Sequence, residues 1–207
     1  MKQTKIKICG ITRKDQAIEI AEMGIDALGF VMYPPSPRYI PTVELKTILS
    51  VLPPYTTTVG VFVNDPLDQV YQTMKSTGLH LAQLHGEESP QYCKELTSRG
   101  INWLKAFRIK DHIDNETIKS YSSRYIHLDA WSEEVYGGTG ETFAWELAKQ
   151  LSQEHSLILS GGINEVNARE AINQLHPYAI DLSSSVESSP GIKSIERIRA
   201  LLMAVRP

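Results

Sequence analysis

A cysteine stands at the end of the first strand-like segment of the chain, in the stretch KIKICGIT. Ile6 and Ile8 alternate as strand residues do, Gly10 gives the backbone freedom to turn, and Thr12 can cap a following helix. Cys9 is therefore either a small buried hydrophobic residue, as most free cysteines are, or a thiol held at the rim of a site.

Two segments near the C-terminal end have the composition of an anion site. SGGI carries Gly161 and Gly162, and DLSSSVESSPG carries Ser183, Ser184 and Ser185. The glycines let the backbone approach a ligand closely, and the serines add N–H and hydroxyl donors. Either motif alone is equally well explained as a turn, so their meaning depends on where the fold places them.

Short apolar, β-rich segments recur along the whole chain and must position these residues. They are IKICGI (6–11), ALGFVM (27–32), TTVGVFV (57–63), LAQLHG (81–86), WLKAFRI (103–109), YIHLDA (125–130), LILSGGI (157–163) and AIDLSSS (179–185). Their centres lie about 21 to 31 residues apart, which leaves room for one crossover helix each time and so predicts parallel strands.

The gaps between the strands carry helical patterns with start and stop signals. Asp65-Pro66 opens one that ends at Gly78, and Ser89-Pro90 opens another that ends at Gly100. Further helices are predicted over 115–122, 143–151, 164–175 and 195–205. Eight strand–helix units predict an α/β fold, a single (β/α)₈ TIM barrel over residues 1–207, with an open doubly wound sheet as the alternative.

In such a barrel the loops that follow the strands form the active face. The predicted strands end in polar or glycine residues, which are Cys9, Arg38, Asn64, His85, Arg108, Asp129, Gly161-Gly162 and Ser183–Ser185. The two candidate anion motifs then follow the seventh and eighth strands, where barrels often bind phosphate through backbone N–H groups. This coincidence favours a phosphate site over two unrelated turns.

The composition excludes several classes of protein. The chain has 207 residues, 42% of them hydrophobic and 22% charged, with a formal net charge of −3, which argues against a nucleic-acid surface. No apolar run reaches the ~18 residues of a membrane helix, and MKQTK lacks a signal-peptide core. The two cysteines fit neither a disulfide framework nor a zinc site, so we expect a cytoplasmic protein.

Several stretches, in this order, resemble the phosphoribosylanthranilate isomerase family of tryptophan biosynthesis. They are KICGIT, GFVMYPPSPRYI, VGVFVN, QLHGEE, LDA followed by YGGTGETFAW, LSGGINEVNAREAI and DLSSSVESSPGIK. KICGIT, SPRYI and the segment from GGTG to FAW are individually specific, and the resemblance covers nearly the whole chain.

The resemblance implies a barrel that converts N-(5-phosphoribosyl)anthranilate to 1-(2-carboxyphenylamino)-1-deoxyribulose 5-phosphate by an Amadori rearrangement, without cofactor or metal. It assigns the general base to Cys9, the general acid to Asp129 and the ligand of the anthranilate carboxylate to Arg38. His85 is a further candidate for substrate binding, with a structural role as its alternative. The resemblance also assigns phosphate binding to Gly161, Gly162, Ser183, Ser184 and Ser185.

The chemistry explains these residue types. Ring opening needs a proton on the ring oxygen, and the double-bond shift then needs removal of the C2′ proton. A free carboxyl is ionised at neutral pH and a free thiol is protonated. We therefore expect desolvation or nearby negative charge, including the substrate, to raise the pKa of Asp129, and local positive potential to lower that of Cys9. Arg38 offers a planar fork that matches a carboxylate.

The chain departs from the family pattern at three positions, of which Ser194, in place of the more frequent aspartate after PGIK, is expected to be a helix cap. Ser185 replaces the usual glycine of SSGVE and resists positive φ, so we expect phosphate binding with a shifted loop. His127 stands where an aliphatic residue is usual, and we hypothesise that it affects the pKa of Asp129. Lys105 could suggest a Schiff base, but its mid-strand position favours a structural role. Asp181 is expected to be a buried hydrogen-bonding residue rather than a catalyst.

Three alternative functions remain open. A relative of indole-glycerol-phosphate synthase would need catalytic lysines and a glutamate at strand ends, which this chain does not offer. An isomerase that also serves histidine synthesis usually has an aspartate where this chain has Cys9. A binding barrel without catalysis would not need Cys9, Asp129 and Arg38 together. The expected ligand is the small-molecule substrate, without nucleic acid or membrane, and the protein is a monomer or a homodimer.

Overall fold

The computed structural model describes residues 3–108, 115–129 and 148–206, and its parallel strands close into an eight-stranded barrel. The strands are Lys5–Cys9 (β1), Ala27–Val31 (β2), Thr57–Phe62 (β3), Leu81–Leu84 (β4), Trp103–Arg108 (β5), Tyr125–Asp129 (β6), Ser156–Ser160 (β7) and Ala179–Leu182 (β8). Each pairs with the next along the chain, and β8 pairs with β1. The predicted (β/α)₈ barrel is confirmed, and the open doubly wound sheet is wrong.

Helices connect the strands on the outside of the barrel. They are Lys14–Glu22 (α1), Thr42–Leu49 (α2), Leu67–Thr77 (α3), Pro90–Ser98 (α4), Asn115–Ser120 (α5), the helical residues 148–151 (α6), Ala168–Leu175 (α7) and Ile195–Val205 (α8). Within the described residues, no helix has the length and apolar character needed to cross a membrane.

The helix boundaries follow local signals that the sequence carries. Ser89 caps α4 by accepting the Tyr92 N–H, and α3 ends at Gly78, whose φ of 74° is the left-handed conformation that glycine adopts readily. The seventh helix begins at Ala168 rather than at Asn164 as predicted, because the Asn164 side chain accepts the N–H groups of residues 166 and 167 and forms a turn instead. Residues 143–147 of the predicted sixth helix lie outside the described residues.

The strand register arranges the inward-facing side chains in layers. Because the strands of a closed barrel are staggered, residues at one level shift by about one position from each strand to the next, and alternate strands fill each layer. From β2, β4, β6 and β8 the register brings together Gly29, Gln83, His127 and Asp181, which we call the polar layer. Above it, towards the strand ends, stand Cys9, Val61, Ala106 and Ser160, and then Val31, His85, Asp129 and Ser183. Polar side chains therefore occupy a level where barrels usually carry branched apolar residues.

The chain after β8 builds one side of the barrel mouth. It makes a 3₁₀ turn, Ser184–Val186, and a short antiparallel hairpin of Glu187–Ser189 (β9) and Ile192–Lys193 (β10) before α8 begins. Thr12, just after β1, donates its hydroxyl to the carbonyl of Gly191 in this hairpin at 2.6 Å. The hairpin is thereby tied to the loop that follows Cys9.

Candidate active site

A cavity of about 790 Å³ opens at the carboxyl ends of the barrel strands. All nine site residues predicted from the sequence line it: Cys9, Arg38, His85, Asp129, Gly161, Gly162, Ser183, Ser184 and Ser185. The cavity is also lined by Gln83, Ser160 and Asp181, which the sequence did not single out for a site. The fold therefore brings the predicted acid, base and anion motifs into one space.

Cys9 ends β1 and is only 9% exposed. Burial raises the pKa of the Cys9 thiol above its ordinary value, and the positive charge of Lys7 offsets only part of that rise. The predicted lowering of the Cys9 pKa is wrong for the free protein, because losing water disfavours the thiolate more than the neighbouring cations favour it.

Asp129 ends β6 and accepts two hydrogen bonds. Its Oδ2 lies 3.1 Å from His85 Nε2, and its Oδ1 accepts the Ser160 hydroxyl at 3.0 Å. The Gln83 amide nitrogen lies 3.2 Å from His85 Nδ1, so with that nitrogen as donor the imidazole carries its proton on Nε2 and donates it to Asp129. Sequence reasoning placed His85 near the substrate and missed this link to the carboxylate.

These contacts set the direction of the Asp129 pKa. Burial raises it, but the hydrogen bond from His85 and the favourable electrostatic interaction with that imidazole, together with the Ser160 hydrogen bond, outweigh burial and hold the pKa below its ordinary value. The expected rise is therefore wrong for the free protein. Hydrogen bonds to a carboxylate favour its charged form. No local pattern in the sequence indicates that two donors converge on this one.

His127 lies in the polar layer beneath Asp129 and is 1% exposed. Its Nε2 is 2.8 Å from the Ser160 hydroxyl and 3.5 Å from Asp181 Oδ2. Burial lowers the pKa of His127 to about 4, so the ring is neutral at neutral pH. His127 is therefore linked to Asp129 by hydrogen bonds through the Ser160 hydroxyl, and not by a positive charge on its ring. The hypothesis that His127 affects the Asp129 pKa stays a prediction.

Arg38 is held by a carboxylate that the sequence did not indicate. Its Nε lies 3.0 and 3.1 Å from the two oxygens of Glu187, and its Nη2 lies 2.6 Å from Oε2. Lys193 Nζ donates to the same carboxylate at 2.6 Å, and the Glu187 side chain is only 4% exposed. Burial raises the pKa of Glu187, but its bonds to Arg38 and Lys193 hold it below its ordinary value. One edge of the guanidinium is thus fixed, and the Nη1 edge is left for a second carboxylate.

The predicted phosphate motifs line the cavity in the segments after β7 and β8. Gly161 and Gly162 have φ values of 80° and 69°, a conformation that favours glycine. The Asn167 side chain donates to the Gly162 carbonyl at 2.9 Å and ties the turn to α7. Ser185 lies in the 3₁₀ turn and outside the positive-φ region, so serine causes no backbone strain there.

Lys105 has a structural setting and does not line the cavity. Its Nζ donates to the carbonyls of Leu84, Gly86 and Ala106 and lies 3.2 Å from the buried Glu88 carboxylate. Glu88 in turn accepts the N–H groups of Asn64 and Gly86. The pair holds together the loops after β3 and β4, as the structural interpretation of Lys105 expects.

The segment from GGTG to FAW, residues 137–145, lies outside the described residues. Across 3–108, 115–129 and 148–206, no group of three or more histidine, cysteine, aspartate or glutamate side chains is arranged to hold a metal ion.

Comparison with known proteins agrees with this geometry. Residues 6–204 match the family model of N-(5′-phosphoribosyl)anthranilate (PRA) isomerase. The N-(5′-phosphoribosyl)anthranilate isomerase of Trichlorobacter lovleyi is 43% identical over 199 residues, which cover 96% of each chain. The crystal structure of phosphoribosyl anthranilate isomerase from Thermotoga maritima superimposes with a TM-score of 0.90 at 38% identity, over 99% of each chain.

A second solved structure is that of a phosphoribosyl anthranilate isomerase in complex with reduced 1-(o-carboxyphenylamino)-1-deoxyribulose 5-phosphate. It superimposes with a TM-score of 0.88 at 35% identity, again over 99% of each chain. The matches extend over the whole barrel and include every strand that supplies a residue to the cavity. The chain belongs to the phosphoribosylanthranilate isomerase family.

Proposed function

We propose that this protein isomerises N-(5′-phosphoribosyl)anthranilate to 1-(2-carboxyphenylamino)-1-deoxyribulose 5-phosphate in tryptophan biosynthesis. The observation that carries the proposal is the meeting of Cys9, Asp129 and Arg38 in one cavity with the glycine and serine motifs after β7 and β8. Family membership supports the same reaction. Both cysteines are free and buried, which supports the cytoplasmic location that we propose.

The substrate has two anionic groups, and the cavity offers a candidate site for each. The phosphate would bind at Gly161, Gly162 and Ser183–Ser185, through backbone N–H groups and serine hydroxyls. The anthranilate carboxylate would bind the Nη1 edge of Arg38, since Glu187 already holds the other edge. Anchoring both ends places the sugar between the strands that carry Cys9 and Asp129.

In the first step, the Asp129 carboxyl gives its proton to the ring oxygen of the ribosylamine. The bond from C1′ to the ring oxygen breaks, and the nitrogen lone pair forms a C1′=N iminium. Asp129 must be protonated for this step, whereas His85 and Ser160 favour its ionised form in the free protein. The bound substrate brings two negative groups and excludes water, and both effects raise the pKa of Asp129 in the complex.

In the second step, the Cys9 thiolate removes the C2′ proton. An S–H bond forms, the C2′–H electron pair becomes a C1′=C2′ double bond, and the iminium pair returns to nitrogen. The resulting enolamine becomes the product ketone when C1′ gains a proton and the C2′ hydroxyl loses one. Because this last step needs no net proton, it restores the starting states when Cys9 protonates C1′ and the hydroxyl proton returns to Asp129.

The test is a coupled assay with freshly generated phosphoribosylanthranilate, run on the wild type, Cys9→Ala and Asp129→Asn. Loss of a general acid or base should lower kcat by about 100-fold or more. Cys93→Ala is the matched control, because Cys93 is buried outside the cavity and should be dispensable. An inactive, folded wild type would contradict the function, and a fully active Cys9→Ala or Asp129→Asn variant would contradict the mechanism.

A further inference from the structure

A lysine is buried directly beneath the candidate base. Lys7 is 6% exposed, on the inner face of β1, two residues before Cys9. Lysine is almost never fully buried unless it is paired, because burying its charge without a partner is costly. Its partner is Asp181 of the polar layer, at 2.6 Å from Nζ, and the side chains of the pair are only 8% and 5% exposed.

The polar layer leaves room for Lys7 and Cys9 to approach each other. Gly29 on β2 occupies the level between them, and it has no side chain. A Cβ at Gly29 would lie 2.7 Å from Cys9 Sγ, which is closer than real Cβ contacts allow, and 3.0 Å from Lys7 Nζ, which is tighter than most of them. The space that any other residue would fill is thus shared by the thiol and the ammonium group.

Charged groups surround Cys9 from several elements. They are Lys7 on β1, Asp181 on β8 and Lys193 on β10, with Asp129 on β6 and Arg38 in the loop after β2 lining the same cavity. His127 on β6 also lines the cavity and is neutral at neutral pH. Burial has the largest effect on the Cys9 pKa and raises it. Among the charges, Lys7 has the largest influence and lowers the pKa, whereas Asp181 has a smaller, opposite effect.

We propose that Lys7 is a positioning residue that holds an ammonium group beside the Cys9 sulfur and stabilises the thiolate that removes the C2′ proton. Asp181 keeps that ammonium group charged and directs it into the space that a side chain at Gly29 would fill. The proposal rests on the proposed function for the identity of the proton that Cys9 removes. The thiolate stabilisation itself is a property of the free protein and is measurable without substrate.

The first experiment measures the thiol directly. In a Cys93→Ala background Cys9 is the only cysteine, because the chain has two. The rate of its alkylation by iodoacetamide between pH 6 and pH 10 reports the apparent pKa of the thiol, since the thiolate is the nucleophile. An opposite charge this close shifts a pKa by about 1–3 pH units, so Lys7→Met should raise the apparent pKa by at least about one pH unit and slow alkylation at pH 7.5 about tenfold or more.

Two further variants separate this role from simple packing. Lys7→Arg keeps the positive charge and should retain the wild-type alkylation profile. Lys7→Met/Asp181→Asn removes both charges, avoids an unpaired buried carboxylate, and should alkylate faster than Lys7→Met but more slowly than wild type. If Lys7 had only a packing role, Lys7→Met would loosen the barrel and expose Cys9. Cys9 would then be alkylated faster in the variant than in the wild type. If Lys7→Met does not fold, the double variant alone decides.

The second experiment is the pH dependence of kcat/KM with phosphoribosylanthranilate. In the free protein the pKa of the base Cys9 is raised and that of the acid Asp129 is lowered, so the basic limb of the profile reports Cys9. That limb should move upward in Lys7→Met or the double variant, and return with Lys7→Arg. The proposal would be overturned if Lys7→Met and Lys7→Met/Asp181→Asn both kept the wild-type dependence of alkylation on pH. A wild type that shows the expected alkylation behaviour but no isomerase activity would instead contradict the proposed function and leave the thiolate assignment standing.

Discussion

Replacing His127 by leucine should change how the stability of the protein depends on pH. His127 is fully buried in the polar layer, with Nε2 bonded to Ser160 and Nδ1 without a hydrogen-bond partner. Burial lowers the pKa of its imidazole from 6.5 to about 4. The native protein therefore keeps this histidine neutral at pH values where the unfolded chain has already protonated it.

The size of the effect follows from this difference. Below about pH 6.5 His127 is protonated in the unfolded state but still neutral in the native state, so the free energy of unfolding falls as the pH falls. The loss is about 1.4 kcal/mol per pH unit, which gives about 2 kcal/mol between pH 7 and pH 5 and about 3 kcal/mol by pH 4. Below pH 4 the native state also takes up the proton, and this contribution stops growing.

The assay is urea unfolding followed by circular dichroism at pH values from 7.5 to 4.5. The His127→Leu variant should lose about 2 kcal/mol less than wild type between pH 7 and pH 5. The lost hydrogen bond to Ser160 lowers the stability of the variant at every pH and does not affect this difference. His176→Asn, at the exposed end of α7, is the matched control for loss of one histidine and should keep the wild-type dependence.

Parallel pH curves for wild type and His127→Leu would refute the reasoning, because they would show that His127 takes up protons alike in the folded and unfolded chains. The same variant tests the link to the acid. If His127 acts on Asp129 through Ser160, the pH–rate profile shifts when leucine replaces it. An unchanged pH–rate profile would show that His127 does not affect the pKa of Asp129.

Two further predictions concern the ion pairs around the mouth. Glu187→Gln removes the negative charge that holds Arg38. Steady-state kinetics should then show a KM raised about tenfold or more, with a much smaller change in kcat. An unchanged KM would show that Arg38 needs no carboxylate to bind substrate. Lys105→Met leaves Glu88 buried without its cation. Urea unfolding should show a free energy of unfolding lowered by about 3–5 kcal/mol, and Lys105→Met/Glu88→Gln should recover part of that loss. A loss below about 1 kcal/mol would contradict the structural role of the pair.

The sequence was sufficient to predict most of the fold. Repeated short apolar segments separated by room for one helix specify parallel strands, and helix signals such as Ser89-Pro90 and Gly78 act locally, so they can be recognised along the chain. The start of α7 was the exception, because the Asn164 side chain competes with the helix for the backbone N–H groups. Such competition depends on rotamers that the sequence does not reveal.

The site could be predicted only in part. That Cys9 and Asp129 would share a cavity follows from the rule that strand ends of a barrel meet at one face. That Glu187 would hold Arg38, or that Lys7 would pair with Asp181, does not follow, because these partners are 149 and 174 residues apart along the chain. No local pattern marks either pair.

The sequence by itself determined the identity of the strands, the residues at their ends and the family to which the chain belongs. The tertiary structure decided the protonation of those residues. A pKa depends on burial and on every charge and donor within a few ångströms, whatever element supplies it. This is why the sequence was enough to predict that Cys9 and Asp129 end strands and line one cavity, whereas the directions of their pKa shifts depend on the contacts made in the closed barrel.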